Sequence, residues 1–208
     1  MKPEEITKAL SWRFAARAFD TTKKVSDADL KTILESGRLA PSSIGVEPWK
    51  FIVVKNSEIR AQLRAAAYDQ AKVTDASDLI IIAHRTDPET VAHELVERTA
   101  TAQGKTTEEL AGLKGMVDGA VARNTPEQNN AWFKNQTYIP LGMMIETASL
   151  LGIDNGPMEG FDRTKVDEIL GLTAQNLTAS TMLALGYRAE DAWPKTRRAY
   201  DDVVEIVE

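Results

Sequence analysis

Apolar residues recur along the chain with two different periods, and the switches between them divide it into elements. Pro3 to Trp12 reads as a short helix whose proline suits the first helical turn. Ser26, with Asp29 three residues on, is a capping-box-like start for a helix carrying Leu30, Ile33, Leu34 and Leu39. The run W-K-F-I-V-V from Trp49 to Val54 predicts a strand, and Ser57 is expected to cap an alanine-rich helix reaching about Ala71. Leu79 to Ala83 is apolar at every position, as a strand buried on both faces would be.

Residues 88–122 have helical spacing but a polar composition loosened by Gly104, Gly112, Gly115 and Gly119, so a mobile lid or outer excursion is expected there. Thr125-Pro126-Glu127 then opens one long, mostly apolar helix ending near Leu151, in which Pro140 should introduce a kink or mark an irregular turn. That helix is the candidate central helix and a candidate subunit contact. An extended piece leads into Gly156–Gly160, followed by a helix from Asp162 to Leu170 and a strand from Thr178 to Tyr187. The β-branched run V-V-E-I-V at 203–207 would be an exposed strand edge unless it pairs, and a partner subunit's sheet is a plausible host.

Length and composition narrow the class. The 208 residues suit one domain, 1–208, able to bury roughly 70% of its unfolded surface without staples. The absence of cysteine removes disulfides, thiolate nucleophiles and cysteine-based metal sites. The net charge of −6 argues against a nucleic-acid footprint, and no apolar stretch is long enough to span a bilayer. A cytoplasmic protein without a membrane partner is expected. His84 and His93 stand nine positions apart without a metal-ligand pattern, so no metal is expected. No G-x-S-x-G, P-loop or strand-linked G-x-G-x-x-G motif occurs.

Cations set into this acidic chain are more informative. Arg13, Arg17, Lys72, Lys195, Arg197 and Arg198 are either solvated surface charges or parts of one anion pocket, and periodicity does not choose between the two. The segment A-P-S-S-I-G-V-E-P-W, residues 40–49, is either a helix-to-strand loop or the rigid polar edge of a ligand site.

The fragments R-F-A-A-R-A-F-D (13–20), A-P-S-S-x-x-x-E-P-W (40–49), K-V-T-D-A-S (72–77), P-M-E-G-F-D (157–162) and P-K-T-R (194–197) follow one another in the order found in the nitroreductase family. Over nearly the whole chain the sequence resembles the FMN-dependent, homodimeric NAD(P)H nitroreductases. That resemblance implies an α+β fold with a mainly antiparallel sheet flanked by helices. It also implies a C-terminal extension, 194–208, that adds a strand to the partner's sheet, with FMN at the subunit interface.

By the same resemblance, Arg13, Lys195 and Arg197 hold the phosphate and ribityl end, while Arg17 and Lys72 face the pyrimidine edge of the flavin. Phe14 and Ala15 stand where a basic residue or histidine and a serine are frequent. Pro41, Ser42, Ser43 and Gly45 come from the other subunit, and Gln136 sits near the cofactor. Gly45 and Asp69 occupy positions where relatives carry asparagine, and an Asp69 carboxylate reaching the pyrimidine edge would lower the flavin's reduction potential. Pro157, Met158, Glu159 and Gly160 form the backbone strip under its reactive edge, with glycine at 160 to admit the ring and Met158 as apolar surface. The implied activity is ping-pong hydride transfer through flavin N5, from NADH or NADPH to a small-molecule acceptor such as a nitroaromatic or quinone, with no catalytic side chain. An ene-reductase or dehydrogenase acting on another substrate, and a non-catalytic flavin-binding module, are the alternatives.

Overall fold

A computed structural model describes residues 2–208. The first element, α1 (Pro3–Trp12), buries none of its side chains in this chain, and Leu10 and Trp12 remain exposed. The Ser26 hydroxyl accepts the Asp29 N–H and starts α2 (Asp27–Arg38), as its spacing predicts. After β1 (Trp49–Val53) the cap falls one residue earlier than expected. The Asn56 side chain, not Ser57, accepts from the Ile59 N–H and opens α3 (Ser57–Ala66).

That helix also ends sooner than the alanine run suggests. Tyr68 and Asp69 take left-handed φ values of 54° and 57°, which breaks the helix before a single further turn, α4 (Lys72–Asp75). Arg60, buried, ties the turn down by donating to the carbonyls of Val73, Ala76 and Ser77. The apolar run becomes β2 (Asp78–Arg85), in which Leu79, Ile80, Ile81 and Ile82 are fully buried.

Residues 88–122 are two helices, α5 (Pro88–Gln103) and α6 (Ala111–Ala122). They carry an apolar cluster of their own in which Val91, Leu95, Val117 and Val121 pack with Phe133 and Val46. The expected single helix from Thr125 to Leu151 is instead two, α7 (Pro126–Gln136) and α8 (Tyr138–Leu150). The cause is Pro140, acting one turn upstream of its own position. Without an N–H it has no hydrogen for the Gln136 carbonyl, so α7 closes at Gln136 and α8 restarts with Pro140 in its first turn.

Gly156 and Pro157 lie in a strand, β3 (Asp154–Met158), rather than in a turn. Asp162 caps α9 (Arg163–Leu170), and β4 (Leu177–Gly186) follows. The four strands form one antiparallel sheet in the order β1-β2-β4-β3, with a register shift at Ile82/Ala83. Alternate residues of β2 and β4 supply its two faces. Leu79, Ile81 and Met182 pack towards α3, α4 and α9, whereas Ile80, Ile82 and Leu183 pack towards α2 and α8.

The chain between α1 and α2 adds a ragged extra edge beside β3. Ala15 pairs in parallel with Asn155, Phe19 pairs antiparallel with Arg188, and Ala16 N–H donates to the Asn155 carbonyl at 3.0 Å. The C-terminal run does not form a strand within its own chain. A short 3-10 turn at Tyr200–Asp202 precedes it, and Val203, Val204, Ile206 and Val207 are exposed. Among the described residues no helix is long and apolar enough to cross a membrane.

Candidate functional site

The five cations of the sequence analysis that were assigned to a flavin converge on the ragged edge beside β3. Lys195 Nζ donates to the Arg13 carbonyl. Burial and then the neighbouring Arg197 pull the Arg13 guanidinium below its ordinary value, and the Lys195 ammonium is lowered by burial, Arg13, Arg197 and Arg188. Arg13 and Lys195 thus sit in a field of like charge, and an anion placed there relieves the repulsion. Among the described residues none of Arg13, Lys195 and Arg197 forms a salt bridge with a carboxylate.

Arg17 and Lys72 form the next pair along the edge. Lys72 is lowered by burial and by Arg17, with Glu190 opposing. The Arg17 guanidinium lies 4.5 Å from the Trp193 ring centroid, so the C-terminal segment touches both cation groups. Phe14 packs against the core cluster of α3, α4 and α9, with the Arg188 guanidinium 5.7 Å over its ring. Arg188 in turn bonds the buried Asp154 at 2.6 Å. Ala15 contributes backbone pairing to β3.

Two glycines of the next segment do different work. A Cβ on Gly156 would lie 2.7 Å from the Ala16 carbonyl oxygen and 3.3 Å from Lys72 Cδ. Gly156 is therefore required by the protein's own packing. At Gly160 an added Cβ would meet nothing within 4 Å, so that glycine faces open space. A cation group without a carboxylate partner suits an anionic ligand such as a flavin phosphate, and Gly160 leaves its stretch of backbone open to approach.

The Met158 side chain does not line this opening. It is buried in the core with Phe161, and Pro157 is the half-buried residue of the strip. Glu159 binds Lys134 Nζ at 2.9 Å, and its carboxyl is held below the usual range by Tyr138, then Lys134. Burial, then Glu159, pushes the Tyr138 hydroxyl up to about 12. Glu159 is thus an ionised acceptor at neutral pH. Asp69 is 81% exposed, and Arg64 Nε holds its carboxylate at 2.6 Å.

Pro41, Ser42, Ser43 and Gly45 form a second group. Ser42 Oγ accepts the Glu47 N–H, and the buried Gln136 Oε1 accepts the Ser43 N–H at 2.8 Å. Gln136 therefore belongs with this loop in the folded chain. Gly45 needs its glycine, at φ 79°, and Arg98 donates to its carbonyl. Ser43 and Ile44 edge a cleft of about 480 Å³ whose other wall is α6 and α7. No hydrogen bond among the described residues joins this group to Arg13, Arg17 or Lys72. A larger cavity of about 620 Å³ lies between α5, α6 and α7, and none of the cations named above lines it.

Sequence reasoning missed two residues here. Glu190 accepts the N–H groups of Arg17 and Ala18 from more than 170 positions away, and Lys134 holds Glu159. Neither contact leaves a local signature.

The sequence matches the family described as "Nitroreductase family" over residues 10–187, and the chain belongs to that family. A Staphylococcus aureus (strain N315) protein named "Putative NAD(P)H nitroreductase SA2311" is 38% identical, over 98% of this chain and 96% of its own. The fold is that of Bacillus subtilis ydfN, at TM-score 0.89 and 20% identity, covering 99% and 100% of the two chains. It is also that of an Exiguobacterium sibiricum protein solved in complex with FMN, at TM-score 0.82 and 22% identity, covering 100% and 98%. The expected α+β nitroreductase fold is borne out.

Proposed function

We propose that this chain is an FMN-dependent NAD(P)H oxidoreductase acting as a homodimer on nitroaromatic, quinone or related small-molecule acceptors. The observation that carries the reading is the group of Arg13, Lys195 and Arg197, without a carboxylate salt-bridge partner among the described residues and with Arg17 and Lys72 on the same edge. FMN, when bound, supplies hydride chemistry between the nicotinamide and the acceptor.

The chain's own groups bind and orient. Arg13, Lys195 and Arg197 hold a phosphate by charge-assisted hydrogen bonds. Arg17 and Lys72 set positive charge at the edge of the ring that gains negative charge on reduction. The Glu159 carboxylate stays ionised on Lys134 and Tyr138, so this residue acts through its N–H and offers no proton. Pro41, Ser42, Ser43 and Gly45 of a second copy complete the pocket, with Gln136 fixing Ser43. The exposed run of Val203, Val204, Ile206 and Val207 supports pairing with that copy's sheet.

Steady-state NADH and NADPH oxidation with a panel of nitroaromatics and quinones tests the reading. Parallel double-reciprocal lines are expected from one shared site. Intersecting lines, or no turnover with any acceptor by FMN-loaded protein, would remove the proposed mechanism.

A further inference from the structure

Glu190 lies outside the fragments that carry the family resemblance, yet its carboxylate reaches the backbone of Arg17 and acts on Lys72. One oxygen, Oε1, accepts both the Arg17 N–H at 2.6 Å and the Ala18 N–H at 3.0 Å. No helix or strand supplies acceptors for these two amides, so the carboxylate fixes the backbone that carries Arg17. Other anchors of the segment do not use the Glu190 side chain: Ala16 N–H on Asn155 at 3.0 Å, Asp20 N–H on the Tyr187 carbonyl at 2.8 Å, and Ala189 N–H on the Ala18 carbonyl at 3.0 Å. Glu190 is also the negative group that acts on Lys72, opposite the effect of Arg17.

We propose that Glu190 is a positioning residue of the flavin site, holding Arg17 in register by its two backbone hydrogen bonds and offsetting one positive charge of the Arg17–Lys72 pair. The inference rests on the proposed binding of FMN beside that pair. Two consequences separate its two roles. Removing the acceptor loosens Arg17, whereas removing only the charge leaves Arg17 placed and the neighbouring field more positive. A more positive field favours the reduced, negatively charged flavin and raises its potential.

The test uses the full chain with FMN. In fluorescence titrations of the apoprotein, Glu190→Ala is expected to raise the FMN dissociation constant about tenfold or more, the size expected for losing charge-assisted hydrogen bonds. Glu190→Gln keeps an oxygen for both amides, so its FMN affinity is expected to stay within about threefold of wild type. Its bound flavin should show a more positive reduction potential by spectroelectrochemistry. Wild-type FMN affinity in Glu190→Ala, or an unchanged or more negative potential in Glu190→Gln, overturns the inference while leaving FMN binding intact. Should Glu190→Ala fail to fold, the Glu190→Gln potential decides. A wild-type apoprotein that takes up no FMN overturns the reading of the site, and this inference with it.

Discussion

Gly156→Ala is the sharpest probe of how the cation group is held. The new Cβ would stand 2.7 Å from the Ala16 carbonyl oxygen. Ordinary carbon–oxygen contacts begin near 3.3 Å, so the Arg13–Arg17 segment must retreat by roughly 0.6 Å. That atom is backbone, tied to β3 by the Ala16 N–H on Asn155 at 3.0 Å, and cannot rotate away. Overpacking of this kind costs about 1–3 kcal/mol. Replacing glycine where φ permits returns about 0.4–1 kcal/mol through the unfolded chain. At the midpoints of these ranges the net loss is about 1.3 kcal/mol, which should lower the melting temperature by about 3–5 °C in a chain this long. Melts are read on apoprotein, because bound ligand shifts the midpoint by mass action. FMN affinity should fall in the same variant, since Arg13 and Arg17 move with the segment. Gly160→Val is the control with the opposite pattern. Nothing lies within 4 Å of the added Cβ, so stability should hold while FMN binding is lost. If Gly156→Ala melts like wild type and binds FMN equally well, the segment is not held by this contact and the reasoning fails.

His84 gives a pH prediction. Buried between Ser180 Oγ at 2.7 Å and Asn130 Oδ1 at 2.9 Å, its imidazole is lowered chiefly by burial and so resists protonation in the fold. The unfolded chain binds a proton below about pH 6.5 while the folded chain resists, so stability falls as pH drops below that value, by at most about 1.4 kcal/mol per unit. Melts between pH 7.5 and 5.5 should show a shallower fall in His84→Gln, and equal slopes would place the cause elsewhere. Deleting residues 203–208 should convert a dimer into monomer by size-exclusion with light scattering and weaken FMN binding; an intact FMN-bound dimer would refute strand exchange. Asp69→Asn should leave the flavin potential unmoved, because Arg64 already holds that exposed carboxylate. A clear rise would place the Asp69 carboxylate at the flavin's pyrimidine edge.

Much of the fold was legible because it is written in period. The unbroken run at 79–83 reads as a strand covered on both faces and is one, and Ser26 and Asp162 announce their helices. Other boundaries were set by events the pattern does not carry. Pro140 marks a break but acts four residues earlier, through the hydrogen bond it cannot make. The alanine run before Ala71 continues past the helix end because left-handed Tyr68 and Asp69 decide that end, and neither is glycine. Within the candidate site, the cations were visible as residues but not distinguishable from solvated surface charges, because their convergence is a tertiary fact. Met158 looked like a surface for the ring and is core, since alternation along β3 turns it inward with Gly156. Glu190 had no sequence signal at all, because its partners are backbone amides at the other end of the chain.

The central claim is that the Arg13–Lys195–Arg197 group and its neighbours bind FMN and that NAD(P)H reduces it there. Anaerobic titration of the purified, FMN-reconstituted protein with NADH or NADPH measures this directly. A yellow protein holding FMN is expected, bleached by at least one of the two nicotinamides and recoloured by a quinone or nitroaromatic. A colourless protein that cannot be loaded with FMN, or bound flavin that neither nicotinamide bleaches, would contradict it.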